Sequence, residues 1–385
     1  MTGHPFVEAG RSRAPWMAER LAELVSCGSP SADPDALARC ASLLDDMGAE
    51  VFGCAAQRFL RGGSPCLLWR GNKPSPVLLL GHFDTVWPAG TLTAWPYTVT
   101  DGIASGPGLF DMKGGIVQAL AAVSLLENPD CVTLLITSDE ETGSAASRAL
   151  IEDQARSAAA VLVCEPSADG GAVKTARKGV GSYQFEVRGR AAHAGLEPHL
   201  GINAGIEVAH QVLALAGLAD PAQETTVTPT AVAAETTANT IPERANLTVD
   251  VRAWTRAELE RVDQQIRRLT PHLPDAALAV HGGINRYPLE AAAAAGLLAL
   301  AQEAAAQIGL TPPIGVRSGG GSDGNLTAAL GSPTLDGLGA VGGHPHARDE
   351  HTDTRAMPDR AALLAALITR INEDPARAGR GGTLS

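Results

Sequence analysis

Three short apolar runs, each ending in a cluster of polar residues, constrain this chain more than any other feature of its sequence. Val77-Leu78-Leu79-Leu80 leads into Gly81-His82-Phe83-Asp84-Thr85, and the stretch Val132 to Thr137 leads into Ser138-Asp139-Glu140-Glu141-Thr142-Gly143-Ser144. Val161-Leu162-Val163-Cys164 leads into Glu165-Pro166. Unbroken apolar runs of this length, rich in β-branched residues and bounded by Gly, Pro and Asp, read as strands buried on both faces. Helical patterns alternate with them, over Ile116 to Leu126 and from Ser144 onward. Strand and helix in alternation predict an α/β fold, a parallel or mixed sheet between two layers of helices. Ligands of such sheets bind beyond the carboxyl ends of the strands, where these polar clusters fall.

The polar clusters carry metal-binding chemistry. His82 supplies an imidazole at one strand end, and Glu140 and Glu141 supply adjacent carboxylates at the next. Glu165 supplies another. Asp111 lies in the Gly-rich segment Gly106-Pro107-Gly108-Leu109-Phe110-Asp111-Met112-Lys113-Gly114-Gly115, just ahead of a helix, and Gly343-His344-Pro345-His346-Ala347-Arg348-Asp349-Glu350 adds imidazoles near the C-terminus. Imidazole nitrogen and carboxylate oxygen are the usual donors of catalytic zinc, which keeps one position open for water. Two His and three acids can hold a pair of metals when one acid bridges. Such a pair, ~3.5 to 4 Å apart, clamps nucleophile and oxyanion in hydrolysis.

In order, spacing and wording these motifs resemble the di-zinc aminoacylase and carboxypeptidase family of metallopeptidases, most closely its glutamate carboxypeptidase (carboxypeptidase G type) branch. The resemblance covers nearly the whole chain. It implies that His82 and Glu165 bind one metal, Glu141 and His346 the other, and that Asp111 bridges them. Glu140 would be the general base, and Asp84 would hydrogen-bond the His82 imidazole and set its tautomer. His346 is preferred over His344 and His351 because His346-Ala347-Arg348-Asp349-Glu350 matches the family's His, small residue, two variable residues, Glu pattern. The neighbouring histidines read as solvated. The resemblance also implies a cis peptide bond between Asp111 and Met112. It implies two Zn2+ per subunit, although cobalt and manganese accept the same nitrogen and oxygen donors.

A chain of 385 residues exceeds what one core usually supports. From Arg177 the pattern changes to alternating strands, Gly181 to Gly189, Thr225 to Ala233 and Ala245 to Ala253, with helices over Gly201 to Ala216 and Ala257 to Leu269. The pattern reads as a compact α+β insert, and the resemblance implies a zinc-peptidase-like catalytic domain, residues 1–176 and 289–385, interrupted by that insert as a lid and dimerisation domain, residues 177–288. Helices are expected over Arg13 to Ser26, Pro34 to Met47 with a stop at Gly48, Ala291 to Ile308 and Asp359 to Ile371, and disorder from Asp374 onward. Aromatic residues make up 4% of the chain, so Leu, Val, Ile and Ala must form the cores.

Within the inserted segment the resemblance points to substrate contacts. His193, in Gly189-Arg190-Ala191-Ala192-His193-Ala194-Gly195, matches the family histidine that enters the partner subunit's site and steadies the tetrahedral oxyanion. Asn239-Thr240-Ile241-Pro242 matches the family Asn-x-Ile-Pro segment. Arg252 and Arg286 are candidates for a substrate carboxylate, since guanidinium binds carboxylate through paired hydrogen bonds, and Arg286 is preferred. Gly320 belongs to the Gly-rich loop Ser318 to Asp323, whose backbone N–H groups would approach the same end of the substrate. Lys113 and Lys178 read as solvated or structural.

A formal net charge of −12 without any Lys/Arg run disfavours nucleic acid and anionic membranes as partners. Six cysteines without a C-x-x-C pair read as reduced thiols, and the first residues lack the apolar core of an export signal, so a cytoplasmic protein is expected; the resemblance implies a homodimer acting on a small molecule. The activity implied is release of a carboxy-terminal amino acid, glutamate favoured, from an N-acyl or peptidyl conjugate. An N-acyl-amino-acid deacylase of acetylornithine or succinyl-diaminopimelate type would use the same metal residues. A non-catalytic binding homologue is the alternative from outside enzymology.

Overall fold

Why the three apolar runs are unbroken is visible in where their side chains go. In the strand Val77–His82, Val77 and Leu79 enter one hydrophobic cluster while Leu78 and Leu80 enter another on the opposite face. The computed structural model describes residues 3–234 and 236–379. The strands Val132–Thr137 and Ala160–Val163 flank Val77–His82 in parallel, and Thr334–Leu335 extends the sheet beside Ala160–Val163, also in parallel. Ser64–Trp69 and Gln57–Arg61 complete the other edge as antiparallel strands. The sheet is therefore mixed, six-stranded and covered on both faces.

One face is covered by the helices Ala14–Cys27, Pro34–Phe52, Gly114–Ser124, Ala291–Gln307 and Met357–Glu373, and the other by Arg148–Ser157 and Asp323–Ala329. The helix Pro34–Phe52 starts where Asp33 accepts the Ala36 N–H at 3.0 Å and Pro34 occupies the first turn. It does not stop at Gly48, as the sequence suggests, but five residues on, where Gly53 adopts φ +71°. Gly48 is there for packing: a Cβ on it would lie 2.1 Å from Trp69 Cζ2. The tail from Asp374, expected to be disordered, opens with the short helix Pro375–Ala378; residues 380–385 lie outside the described residues.

Contacts divide the chain into two compact units, the first being residues 1–176, 289–318 and 322–385 and the second residues 177–288 and 319–321. The second unit is an antiparallel sheet in the order Thr226–Ala233, Arg244–Ala253, Gly179–Arg188, Ala277–Arg286. Tyr183, Phe185 and Val187 alternate inward from the central strand and meet Leu259, Val262 and Ile266 of the helix Arg256–Arg267 and Val208 and Leu215 of Ala204–Ala216. No helix among the described residues is long and apolar enough to cross a membrane.

Trp69 has little freedom to yield to an added methyl group, because it stacks on Phe52 at 5.6 Å and donates its indole N–H to the Cys54 carbonyl at 3.1 Å. Gly48→Ala should therefore lower stability by about 1–3 kcal/mol, the usual range for overpacking a core, read from the urea midpoint. An unchanged midpoint would show that the Trp69 contact is not restrictive.

Candidate metal centre

The ends of the parallel strands bring the acidic and imidazole side chains together. His82 is the last residue of Val77–His82, Glu140 and Glu141 form a tight turn after Val132–Thr137, and Glu165 follows Ala160–Val163 by two residues. Asp111 sits in the turn that precedes the helix Gly114–Ser124, and its peptide bond to Met112 is cis. This helix comes close to the strand end because Gly115 has no side chain; a Cβ there would lie 1.9 Å from the Cys164 carbonyl oxygen. The approach sets the Asp111 turn beside Glu165.

His82 is 2% exposed, with Nε2 3.4 Å from Asp111 Oδ1 and 3.5 Å from Glu165 Oε1. His346 approaches from the loop between Gly342–Gly343 and His351–Asp353, with Nε2 3.2 Å from Glu141 Oε1 and 3.3 Å from Asp111 Oδ2. Asp111 thus stands between two imidazoles. Donor atoms of His82, Asp111 and Glu141 lie within 4.8 Å of one another, and so do those of His82, Glu140 and Glu165.

Asp84 is fully buried and faces the far nitrogen of His82, Oδ1 to Nδ1 3.4 Å, while its backbone carbonyl lies 3.1 Å from the same nitrogen. Its carboxylate also accepts the Glu140 and Glu141 N–H groups at 3.3 and 3.2 Å and the Ser31 hydroxyl at 2.9 Å. One buried acid therefore orients both the imidazole and the turn carrying the two glutamates.

Without a metal the surrounding acids favour the protonated form of both imidazoles. Burial alone would lower the pKa of His82, but Asp111, Asp84 and Glu165 outweigh it and hold it well above the ordinary histidine value. Asp111 and Glu141 push His346 up to about 10. Burial acts against ionisation of Asp111 too, yet His346 and His82 keep its carboxyl well below the usual range. Glu141 is shifted upward by burial. Asp111 Oδ1 is buried and makes no hydrogen bond among the described residues, so it points a lone pair at a place where a cation fits. Oxygen and ring-nitrogen donors around a bridging carboxylate suit divalent zinc, cobalt or manganese.

A functional residue that motif reading undervalues is Glu350. It is fully buried, and its two oxygens accept four N–H groups: Gly108 and Trp87 Nε1 on one, each at 3.0 Å, and Phe110 and Asp111 on the other, at 2.9 and 3.0 Å. The signal in the sequence is its offset from His346, but the donors lie on a segment about 240 residues away. His344 is exposed and pairs with Asp349, and His351 stacks edge-on against it at 5.5 Å.

The other candidates lie in the second unit. His193 is exposed, bridges to Thr240, and accepts the Gly195 and Leu196 N–H groups on Nδ1, while Ala194 N–H binds the Asn239 carbonyl, so His193 and Asn239 share one corner. Gly320 is exposed, and its carbonyl accepts from Arg177 at 3.1 Å. Arg286 is buried at the end of Ala277–Arg286. Arg252 is already held by Asp250 through two hydrogen bonds of 2.9 Å. Of the two readings of the lysines, solvated or structural, burial excludes the first: Lys113 is 1% exposed, and Lys178 is buried, donating to the Glu224 carbonyl with its ammonium 5.3 Å from the Trp254 ring.

Strand-end imidazoles and carboxylates grouped around one shared aspartate define a metal-dependent hydrolase. Residues 78–370 match the model of peptidase family M20/M25/M40, and the chain belongs to that family. It is 29% identical to carboxypeptidase G2 of Pseudomonas sp. (strain RS-16) over 94% of this chain and 90% of that protein. It is also 29% identical to a succinyl-diaminopimelate desuccinylase of Granulibacter bethesdensis over 77% and 83%. Among solved structures, an M20 family metallo-carboxypeptidase from Sulfolobus solfataricus matches with TM-score 0.72 at 16% identity, covering 91% of this chain and 98% of that one.

Two consequences can be measured. Because neighbouring acids raise the pKa of His82 and push that of His346 up to about 10, metal uptake should release protons, detectable by calorimetry in buffers of different ionisation enthalpy. Release near zero would contradict their part in binding. Glu350→Gln replaces one acceptor oxygen with an NH2 facing N–H donors, so metal affinity measured against a chelator should fall by about 10–100-fold. Unchanged affinity would remove Glu350 from the support of the site.

Proposed function

We propose that this protein is a homodimeric di-zinc carboxypeptidase that releases a carboxy-terminal amino acid, glutamate foremost, from N-acyl or peptidyl conjugates. His82 and Glu165 would hold one ion, Glu141 and His346 the other, with Asp111 between them. The observation that carries the reading is a carboxylate beyond those five: Glu140, 9% exposed, with an oxygen within 4.8 Å of donor atoms of His82 and Glu165. Similarity to carboxypeptidase G2 along 94% of the chain supports the substrate class.

Divalent ions bound here would polarise the scissile carbonyl and acidify the attacking water. Glu140 takes the proton of that water and hands it to the departing amine, a transfer for which a partly buried carboxylate is suited. Asp84 keeps Glu140 in place through its backbone N–H. His193 would donate to the developing oxyanion, and an arginine, Arg286 in preference to the Asp250-bound Arg252, would take the substrate carboxylate, with Asn239 and the Gly320 loop beside it.

Dimerisation through the second unit is supported by apolar side chains left in solvent, Leu213 72% and Ile206 50% exposed on the helix Ala204–Ala216 and Val232 54% exposed on the edge strand Thr226–Ala233. Sedimentation should give twice the chain mass of 39.6 kDa, and a monomer would refute it. Cytoplasmic residence is supported by the six cysteines, all in the free thiol form.

Glu140→Gln should retain bound zinc while turnover falls by about 10²–10⁴-fold, the usual contribution of a general base. Loss of metal in that variant would place Glu140 among the ligands instead. Substrate class is tested by incubating the zinc-loaded protein with a mixture of acyl- and peptidyl-glutamates, folate-type conjugates and N-acetyl or N-succinyl amino acids, followed by mass spectrometry. Release of glutamate from varied acyl groups is expected. Selective removal of a succinyl group would establish the deacylase reading, which the desuccinylase relative favours.

A further inference from the structure

The helix Met357–Glu373 sends an arginine into the interior from its first turn. Arg360 is 8% exposed, and burial lowers its pKa to about 10, so it is charged at neutral pH. A buried cation ordinarily has an acid beside it, because leaving water is costly for an unpaired charge. No acid pairs with Arg360 among the described residues. Its guanidinium instead donates to three backbone carbonyls, Nε to Gly339 at 3.1 Å, Nη1 to Gly171 at 2.8 Å and Nη2 to Gly337 at 2.7 Å. One planar fork thus ties together two stretches of chain, residues 337–339 and the turn Asp169–Gly171.

Both stretches border Glu165. The last strand of the sheet ends at Leu335, yet its pairing with the neighbouring chain continues past that point. Leu338 donates its N–H to the Val163 carbonyl at 3.2 Å and Gly339 to the Glu165 carbonyl at 2.8 Å, and the Ala340 carbonyl accepts the N–H and the hydroxyl of Ser167, each at 2.9 Å. The two backbones lie in close contact: a Cβ on Gly339 would fall 2.2 Å from the Cys164 carbonyl oxygen and 2.7 Å from that of Glu165. The Gly339 N–H therefore holds the Glu165 carbonyl, while Arg360 grips the carbonyl of the same glycine. The base of this clamp is firm, since Ala361, Leu364, Ala365 and Ile368 of the same helix belong to the main core.

We propose that Arg360 is a positioning residue for Glu165: by clamping residues 337–339 against the Glu165 backbone, it sets where that carboxylate meets a divalent ion. The inference rests on the reading of Glu165 as a metal ligand. Arg360 acts through Gly339, so its influence is confined to the ion that Glu165 holds. A purely structural arginine would instead affect the stability of the chain and leave the affinity of that ion alone.

The test loads the full chain with Co2+ and strips it with a competing chelator, following the visible absorbance of the bound ion in wild type, Arg360→Lys, Arg360→Met, Glu165→Gln and the double variant R360K/E165Q. Lysine keeps the charge but lacks the planar fork. In Arg360→Lys one ion should be lost at about tenfold lower chelator concentration and the other as in wild type, and Arg360→Met should show a larger loss of the same ion. Glu165→Gln should weaken that ion too, and adding Arg360→Lys to it should change nothing further, because the group being positioned is gone. Equal weakening of both ions, an Arg360→Lys effect that persists in full beside Glu165→Gln, or wild-type binding in Arg360→Lys while Glu165→Gln is impaired, each overturns the proposal. Unchanged binding in Glu165→Gln overturns the ligand reading itself, and the proposal with it. If Arg360→Met does not fold, the lysine variant still decides.

Discussion

Four N–H groups converging on the Glu350 carboxylate hold the centre in shape. Burial of that carboxylate favours its neutral form and raises its pKa, and the donors from Asp111, Gly108 and Trp87 oppose the shift by solvating the charge. The bonds are charge-assisted and lie out of water, where each is stronger than an exposed neutral one. Glu350 stands four residues after His346 in the chain, so the loop that delivers the exposed imidazole is tied directly to the turn that delivers Asp111. Asp84 does the corresponding work for the other imidazole. It faces His82 and takes the N–H groups of both Glu140 and Glu141. Two buried acids outside the proposed ligand set therefore fix the acids and imidazoles within it, and a change in either would be felt by several donor groups together.

The same economy appears in the backbone. Parallel strands end in register, so residues at their carboxyl ends fall side by side without long connecting loops: Leu80 pairs with Leu135 on one side and Val163 on the other. From that row His82 and Glu165 lie two residues further on, and Glu140 and Glu141 five and six. The helix that follows Asp111 closes the remaining gap, and Gly115 is what lets it do so.

The parts of this architecture written in local pattern were legible in the sequence, and the parts written in distant contacts were not. Val77 to Leu80 reads as a doubly buried strand because both faces demand apolar residues. Gln57–Arg61 and Ser64–Trp69 escape the same reading, since the first is an exposed edge strand carrying Arg58 and Arg61 and the second carries Pro65. Ala277–Arg286 is interrupted by Gly282 and Gly283, which weakens its alternation. Gly48 was read as a helix stop by the general rule for glycine, whereas its neighbour Trp69 is what requires it. His82, Asp111, Glu140, Glu141, Glu165 and His346 announce themselves by type and setting, and the structure gathers them. The clamp made by Glu350 and the burial of Lys113 depend on which segments meet in space, and no local pattern encodes that.

The strand Val77–His82 has a consequence for how a chain of this kind can change. Every residue from Val77 to Leu80 belongs to one of two packed cores, and the sixth residue is the buried imidazole. Any replacement there alters volume on a face that is already full, so it is felt as lost stability before it is felt as altered chemistry. The floor of the centre is accordingly a conserved quantity in the mechanical sense. Diversification of what the protein accepts must come from surfaces that are free to vary without unpacking the sheet, and the chemistry beneath them can be inherited unchanged.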